Sequence, residues 1–171
     1  MAIQALPTDG STFRIRPIRP ADEPAMVRFH ATLSPETVYS RYFEVLGLDR
    51  RTEHDRLLRI CRPEVGREVV LVAEEAFEGA WRIVAVGRLS KSDDGSEGEF
   101  ALLVGDRWQG RGIGSELLRR LVGVARAEGV RQVWAEMLGA NQSMRRTALA
   151  AGFTLTDDPA SFTTRAELRL T

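Results

Sequence analysis

The stretch from Gln109 to Gly114 is the part of the sequence whose residue types and spacing most clearly indicate chemistry. Glycine occupies every second position, at Gly110, Gly112 and Gly114, where an amphipathic helix is predicted to begin. The N-terminus of a helix has unpaired N–H groups and a partial positive charge, and glycine lets a bound group approach the backbone closely. We call this stretch the glycine loop, and it is a candidate phosphate site. The alternative is a turn that only joins a strand to a helix.

Two common phosphate-binding motifs do not match the glycine loop. The dinucleotide fingerprint has glycine at its first, third and sixth positions, and counting from Gly110 the sixth position is Ser115. The P-loop ends in Gly-Lys-Ser/Thr, but Lys91 is the only lysine of the chain and lies far from the loop. The remaining pattern is Gln109-x-x-Gly112-x-Gly114 at the junction of a strand and a helix.

The elements that position this loop alternate between strand and helix patterns. Ser34 followed by Pro35 predicts the N-cap of one short helix, and Thr52 predicts the N-cap of the next. Alternating and apolar runs predict strands over residues 13–18, 68–75, 81–90, 97–104, 132–138, 153–156 and 162–170. Helical spacing predicts helices that start near residues 22, 35, 53, 112 and 141. We therefore expect an α/β domain built around one mixed sheet.

The composition indicates a globular protein of one domain. The 171 residues include 24 basic and 24 acidic side chains, so the net charge of zero gives no reason to expect nucleic-acid or membrane binding. Cys61, the single cysteine, allows no intramolecular disulfide and is expected to be buried, and with two distant histidines it predicts no metal site. Neither a signal pattern nor a membrane-length apolar run is present, so a cytoplasmic protein is expected. We predict a flexible tail over residues 1–12 and one domain over residues 13–171.

Three features together resemble the GCN5-related N-acetyltransferases, the GNAT family. They are the predicted order of elements, the pattern Gln109-x-x-Gly112-x-Gly114, and Asn141 followed by Ala151-Gly152-Phe153. The resemblance runs from about Phe13 to Leu170. It implies an α/β GNAT fold, with a single mixed and mostly antiparallel sheet of six to seven strands and helices on both faces. It also implies an N-acetyltransferase that uses acetyl-CoA as cosubstrate and no metal.

A narrower resemblance is to the acetyltransferase domain of bacterial protein lysine acetyltransferases that modify acyl-CoA synthetases. It rests on the stretches Arg16–Pro20, Leu33–Phe43 and Glu99–Leu102. It implies direct transfer, within a ternary complex, to a protein lysine, with an AMP-forming acyl-CoA synthetase as the expected partner. The fused synthetase-like or cyclic-nucleotide-binding regions often found in that family are not present in this sequence. A small-amine acetyltransferase and a non-catalytic acyl-CoA-sensing module are the alternatives, and a monomer or homodimer is expected.

The resemblance assigns general-base catalysis to Glu99, on the strand before the glycine loop. A lysine ammonium with a pKa near ~10.4 must lose a proton before it attacks a thioester, and a nearby carboxylate can accept that proton. The alternative for Glu99 is a solvated strand carboxylate or an ion pair with Arg88. Glu97 and Glu136 are placed to substitute as the base.

The resemblance also implies which residues contact acetyl-CoA. Two strands splay apart in this fold and free backbone groups for the pantetheine arm and the acyl oxygen, here over residues 101–104 and 134–138. The implied contacts are Leu102, Leu103, Val104, Gln109, Gly110, Arg111, Gly112, Ile113, Gly114, Ser115 and Asn141. Asn141 is also expected to be a helix N-cap, and both roles are compatible. Among the flanking arginines 107, 111, 145 and 146, Arg111 is the first candidate for a phosphate contact.

Two further expectations concern the edges of this site. Many GNAT relatives carry a tyrosine seven residues after the asparagine as general acid, but that position here is Ala148. A thiol with a pKa near ~8.5 is a tolerable leaving group as the thiolate, so water or no acid is expected to suffice. In the short helix after Ser34, Tyr39 and Phe43 are expected to be buried aromatic side chains.

Overall fold

The computed structural model describes residues 12–171, which contain the predicted strands and helices and one further short helix. The strands are β1 (Phe13–Pro17), β2 (Glu68–Phe77), β3 (Ala80–Lys91), β4 (Glu97–Val104), β5 (Gln132–Leu138), β6 (Thr154–Asp158) and β7 (Thr163–Arg169). The α-helices are α1 (Glu23–Ala31), α2 (Pro35–Tyr42), α3 (Leu48–Arg51), α4 (His54–Cys61), α5 (Ile113–Ala127) and α6 (Gln142–Ala150). Single turns of 3-10 helix span Pro20–Asp22 and Asp106–Trp108.

The seven strands form one sheet in the order β1-β2-β3-β4-β5-β7-β6. Neighbouring strands are antiparallel except for β4 and β5, which are parallel. Helices α1, α2 and α4 bury their apolar side chains against one face of the sheet, and α5 and α6 bury theirs against the other. The predicted α/β fold, a mixed and mostly antiparallel sheet with helices on both faces, is therefore confirmed.

Helix α5 covers its face of the sheet with a continuous apolar stripe. Ile113, Leu117, Leu121 and Ala125 are each no more than 2 % exposed and recur at helical spacing. They pack in one core cluster with the side chains that β3 and β4 direct to that face. Burial of this stripe sets the position of the first turn of α5, and so it also sets the position of the glycine loop before it.

A buried ion-pair network joins the edge strand β1 to β2 and to the turn before α1. The guanidinium of Arg16 donates to Asp22 at 2.7 and 2.8 Å and to Glu74 at 2.7 and 3.1 Å. The side chains of Asp22 and Glu74 are only 7 % and 6 % exposed. Burial alone would raise the pKa of both carboxyl groups, but the hydrogen bonds from Arg16 lower each pKa below its usual value.

One boundary prediction differs from the structure, and another lies largely outside the described residues. Thr52 is not the N-cap of α4, because it ends the short helix α3, where its Oγ1 donates to the carbonyl oxygen of Leu48 at 2.8 Å. A threonine hydroxyl bonds to a preceding turn as readily as to a following one, and local sequence does not distinguish the two. The predicted tail falls on residues outside the described range except for Thr12, whose carbonyl accepts a hydrogen bond from the N–H of Ala76 at 3.0 Å.

Candidate active site

Strands β4 and β5 pair only at their N-terminal ends. The register runs from Glu97 opposite Gln132 to Glu99 opposite Trp134, and the two strands are not paired beyond that point. This is the divergence that the resemblance implies for residues 101–104 and 134–138. The edge of β4 that faces β5 therefore carries backbone groups that no neighbouring strand satisfies.

The gap between these strands opens into a cleft of about 1080 Å³. Its walls come from α2, β4, the glycine loop, β5 and α6. The predicted cofactor residues that line it are Leu102, Leu103, Val104, Gln109, Gly110, Gly112, Gly114, Ser115 and Asn141. The fold thus brings most of the predicted residues to one cleft, and Arg111 and Ile113 are the exceptions.

The glycine loop leads into α5 without capping it. Gly110 and Gly112 have φ angles of +72° and +82°, which residues with a Cβ rarely adopt. Gly112 stands at the N-cap position, and no side chain there bonds the first N–H groups of the helix. These amides and the positive end of the helix dipole are therefore available to an anion in the cleft.

The side chains of Arg111 and Ile113 do not line this cleft. Ile113 is 2 % exposed and belongs to the core beneath α5. The guanidinium of Arg111 lies 5.4 Å from the centroid of the Phe13 ring and 3.9 Å from Oε1 of Glu75. This arrangement does not favour the predicted contact between the Arg111 side chain and a phosphate of the cofactor. A cofactor contact by either residue therefore depends on its backbone.

Of the other flanking arginines, Arg146 lines the cleft and the remaining two do not. Arg145 donates to Asp157 at 2.6 Å and to Thr164 at 2.5 Å. The guanidinium of Arg107 lies 5.9 Å from the Trp108 ring. Successive residues of a helix point about 100° apart, so the register of α6, and not the mere presence of two arginines, decides which one faces the cleft.

Asp106 and Gln109 anchor the glycine loop to the start of α2. The carboxylate of Asp106 accepts from the N–H of Ser34 at 2.9 Å, from its hydroxyl at 2.5 Å, and from the Thr37 hydroxyl at 2.7 Å. Nε2 of Gln109 donates to Thr37 Oγ1 at 3.0 Å and to the carbonyl of Val104 at 3.1 Å. Burial raises the pKa of Asp106, but these hydrogen bonds lower it below its usual value overall. Sequence reasoning missed Asp106, because its partners lie about seventy positions earlier in the chain.

Glu99 is exposed and stands where two concavities meet. It lines the cleft and also a second pocket of about 590 Å³ on the side of the sheet covered by α1, α2 and α4. Its carboxylate makes no hydrogen bond or ion pair within residues 12–171, whereas Arg88 contacts Glu68 at 3.3 Å and Ser90 at 2.7 Å. The alternative of an Arg88–Glu99 ion pair is therefore wrong, because the neighbouring strand offers Arg88 a different carboxylate.

The two substitute bases lie in different places. Glu136 is exposed and lines the cleft from β5. Glu97 shares the face of Glu99 but lies outside both concavities.

Asn141 caps α6 as predicted, because its Oδ1 accepts a hydrogen bond from the N–H of Met144 at 3.1 Å. It also lines the cleft, so the two expected roles are sterically compatible. Ala148 is fully buried in the core against the sheet and does not line the cleft. The helix therefore supplies no proton donor at the position where relatives have tyrosine.

The expectation that Tyr39 and Phe43 are buried is wrong. Their side chains are 45 % and 39 % exposed, whereas Val38 is 1 % exposed and Tyr42 is half-buried against the core. The helix instead directs Val38 and Tyr42, which are four residues apart, toward the sheet.

Cys61 is fully buried, as predicted, and burial raises the pKa of its thiol to about 11. A thiol in this state has little thiolate character at neutral pH.

Within residues 12–171, no three His, Cys, Asp or Glu side chains are grouped to hold a metal ion. None of the helices in that range is long and apolar enough to cross a membrane.

Several known acetyltransferases resemble this chain in sequence or in structure. Residues 12–154 match the model of the acetyltransferase (GNAT) domain. The chain is 31 % identical to acetyltransferase PA5475 of Pseudomonas aeruginosa over 88 % of this chain and 80 % of that protein. It is 30 % identical to acetyltransferase Pat of Mycolicibacterium smegmatis over 80 % of this chain, but it spans only 40 % of the length of that relative.

Solved structures agree with these sequence matches. The GNAT domain of S. lividans PAT superposes with a TM-score of 0.84 at 32 % identity, over 99 % of this chain and 96 % of that one. At 24 % identity, yncA of Salmonella typhimurium, solved with its cofactor acetyl-CoA, shares the fold with a TM-score of 0.66 over 94 % and 95 % of the two chains. The split sheet, the uncapped glycine loop and these matches lead to one conclusion. The chain belongs to the GNAT family and is an acetyltransferase.

Proposed function

We propose that this protein transfers an acetyl group from acetyl-CoA to the ε-amine of a protein lysine, with Glu99 as the general base. One observation carries the proposal: the Glu99 carboxylate stands at the border between the cleft and the second pocket. Acetyl-CoA in the cleft and an amine arriving from the second pocket would meet beside this carboxylate. Its lack of partners within residues 12–171 leaves it able to accept a proton.

The reaction follows from this placement. The substrate ammonium gives a proton to Glu99, directly or through water, and the neutral amine attacks the thioester carbonyl. A nitrogen–carbon bond forms, the carbon–sulfur bond breaks, and the electron pair leaves with the sulfur as thiolate. With Ala148 buried, the thiolate takes its proton from water, in keeping with its modest basicity.

The unpaired edge of β4 supports the acyl end of the donor in this proposal. The oxyanion that forms during attack needs N–H donors that are already in position. Residues Leu102, Leu103 and Val104 line the cleft on this edge, and their strand is held by β3 on the other side. The backbone therefore does not have to reorganise when the donor binds.

The glycine loop supports the diphosphate end of the donor. The amides at the start of α5 and the helix dipole favour a group with two negative charges. Gly110 and Gly112 each have no heavy atom within 4 Å of the place where a Cβ would be, so the loop has room for such a group.

A protein acceptor is the finer part of the proposal, and the PAT relatives support it. An AMP-forming acyl-CoA synthetase is the acceptor class that we propose, because a folded target supplies binding energy away from the reacting amine. The proposed setting is the cytoplasm, where both substrates occur.

Acetyl transfer from labelled acetyl-CoA to a panel of acceptors tests this proposal. We expect kcat/KM for an AMP-forming acyl-CoA synthetase to exceed that for free lysine and for polyamines by more than about tenfold, or about 1.4 kcal/mol of transition-state binding. Higher values for small amines would replace the protein acceptor with a small-amine one. Tight binding of acetyl-CoA without transfer to any acceptor would instead indicate a non-catalytic sensing module.

A further inference from the structure

The second pocket, which we call the arginine pocket, has a floor made by three adjacent strands. Side chains of β2, β3 and β4 lie side by side there, with Glu68, Ser90 and Glu99 in one row across the sheet. Helices α1, α2 and α4 form its walls, and five arginines line it: Arg41, Arg56, Arg59, Arg62 and Arg88. The acidic side chains that line it are Glu64, Glu68 and Glu99.

Among the residues that the structure describes, four of these five arginines form no ion pair. Arg88 contacts Glu68, but within residues 12–171 the guanidinium groups of Arg59 and Arg62 form no hydrogen bond or ion pair. Arg41 and Arg56 lie on the ring of Tyr42, at 4.8 and 4.6 Å from its centroid, and form no ion pair within the described chain. Like charges that face one cavity repel one another, and an anion placed among them would relieve that repulsion.

Buried polar atoms along the same pocket also lack partners. His30 has no exposed surface, and neither Nδ1 nor Nε2 has a hydrogen-bond partner. Nε of Arg56 is buried and unpartnered as well. Buried polar groups without partners are rare in folded proteins, so a cluster of them beside a cavity indicates a ligand that completes the bonding. Since both groups offer N–H donors, that ligand carries acceptor oxygens.

We propose that the arginine pocket binds a carboxylate or phosphate group of the acceptor, so that the preferred acceptor is an amine accompanied by a negative charge. This inference rests on the proposed function, because it assumes that the amine lies at Glu99. Arg41, Tyr42 and Glu99 line both the pocket and the cleft. The acceptor therefore has its ammonium at the carboxylate of Glu99 and its anionic group among the arginines of the pocket.

Acceptor peptides that differ only in charge test this inference. Three short, N-terminally blocked peptides carry a single lysine flanked by aspartate, serine or arginine, and transfer from labelled acetyl-CoA gives kcat/KM for each. We expect the aspartate peptide to exceed the serine peptide by about tenfold, a ratio that corresponds to about 1.4 kcal/mol. The ratio falls as the salt concentration rises, because salt screens charges.

A second arm distinguishes the source of the anion. Aminohexanoate and its uncharged amide present one amine with and without a carboxylate, outside any peptide. A preference for aminohexanoate that equals the peptide preference would indicate a small acidic amine as the acceptor. A preference confined to the peptides would indicate an acidic segment of a protein.

Variants of the arginine pocket test whether its arginines cause the preference for the aspartate peptide. In the double variant Arg59→Gln/Arg62→Gln, the aspartate and serine peptides should react about equally, because the charge-assisted bonds to the carboxylates are gone. Arg126→Gln, at an exposed position at the end of α5, serves as the matched control and should keep the wild-type ratio. Calorimetric titration with acetyl-CoA confirms that each variant is folded.

Binding of the labelled aspartate peptide, followed by fluorescence anisotropy without acetyl-CoA, separates this inference from the proposed function. One outcome is that the wild type binds the peptide, the double variant does not, and the wild type acetylates no acceptor. That outcome would support the anion site and overturn the proposed reaction. Equal transfer to the aspartate and serine peptides by the wild type would overturn the anion site and uphold the reaction.

Discussion

Glu99 and Trp134 form the last pair of residues that joins β4 to β5, and the two strands diverge immediately beyond it. On its other side Glu99 lies opposite Ser90 of β3, so its backbone is held by strands on both edges. Its side chain is nevertheless exposed and without a partner in the described chain. A fixed backbone beneath a free carboxylate is the arrangement that a general base at the mouth of the cleft requires.

The substitution Gly114→Asp should abolish acetyl-CoA binding. Gly114 lies in the first turn of α5 and lines the cleft, and its φ is not positive, so the change introduces little backbone strain. Aspartate there adds bulk and a negative charge where a diphosphate is predicted to lie. Calorimetric titration with acetyl-CoA measures the loss. Gly123→Asp is the matched control in the same helix, because that glycine is exposed and a Cβ would meet no atom within 4 Å. Wild-type affinity in the folded Gly114→Asp protein would exclude the glycine loop as the binding site.

Glu99→Gln should slow acetyl transfer at neutral pH by about 10²–10⁴-fold, the usual contribution of a general base. The substitution keeps the shape of the side chain, so the Kd for acetyl-CoA should not change. Glu97→Gln, two residues earlier on the same face but outside both concavities, should keep wild-type rates. Steady-state kinetics with one acceptor compares the variants. Full activity of Glu99→Gln would transfer the role to Glu136, which lines the cleft from β5.

Arg16→Leu should lower the free energy of unfolding by about 3 kcal/mol at pH 7, because it removes the cation that bridges two buried carboxylates and leaves Glu74 paired with Arg14 alone. Chemical denaturation measures the difference, with Arg126→Leu as an exposed control expected within about 0.5 kcal/mol of the wild type. The pKa values of Asp22 and Glu74 are lowered in the folded state, so their contribution is complete above their unfolded values of about 4. It is lost as the pH falls through the lowered values, and the wild-type and variant stabilities should converge there.

His30 should make the protein less stable in mild acid. Burial, with Arg56, Arg51 and Arg41 nearby, lowers the pKa of His30 to about 4. The unfolded chain binds a proton near pH 6.5 and the folded chain does not, so stability falls as the pH drops from about 6.5 to about 4, by up to about 1.4 kcal/mol per pH unit. Chemical denaturation at several pH values in this range measures the effect. The free energy of unfolding should depend less steeply on pH in His30→Gln than in the wild type.

His54 offers a control of opposite sign. It is exposed, and its hydrogen bond with Glu23 raises its pKa. Its contribution is therefore present at low pH and lost as the pH rises through the raised value. His54→Gln should leave the loss of stability between about pH 6.5 and 4 in place, since that loss comes from His30. An unchanged slope in His30→Gln would show that another group is responsible.

The sequence by itself determined the elements and the chemistry of the loop. Alternation of apolar residues predicted β4, and helical spacing predicted α5 with its buried stripe from Ile113 to Ala125. Gly110 and Gly112 have positive φ angles, a backbone conformation that glycine adopts more readily than other residues. These features are local, since each depends on residues within a few turns of one another. The family resemblance added the divergence of the two strands, which no single segment encodes.

Only the tertiary structure decided which side chains reach the site. Arg111 looked suited to a phosphate from its place in the loop, but its guanidinium lies near Phe13 and Glu75. Tyr39 and Phe43 looked suited to the core, but α2 packs Val38 and Tyr42 against the sheet and leaves both of them exposed. The arginine pocket had no sequence signal, because its residues come from several helices and strands between Met26 and Leu103 that are not adjacent in sequence. Residue type and local period determine what an element is. The direction of each side chain depends on contacts between elements far apart in sequence, which become defined only when the sheet assembles.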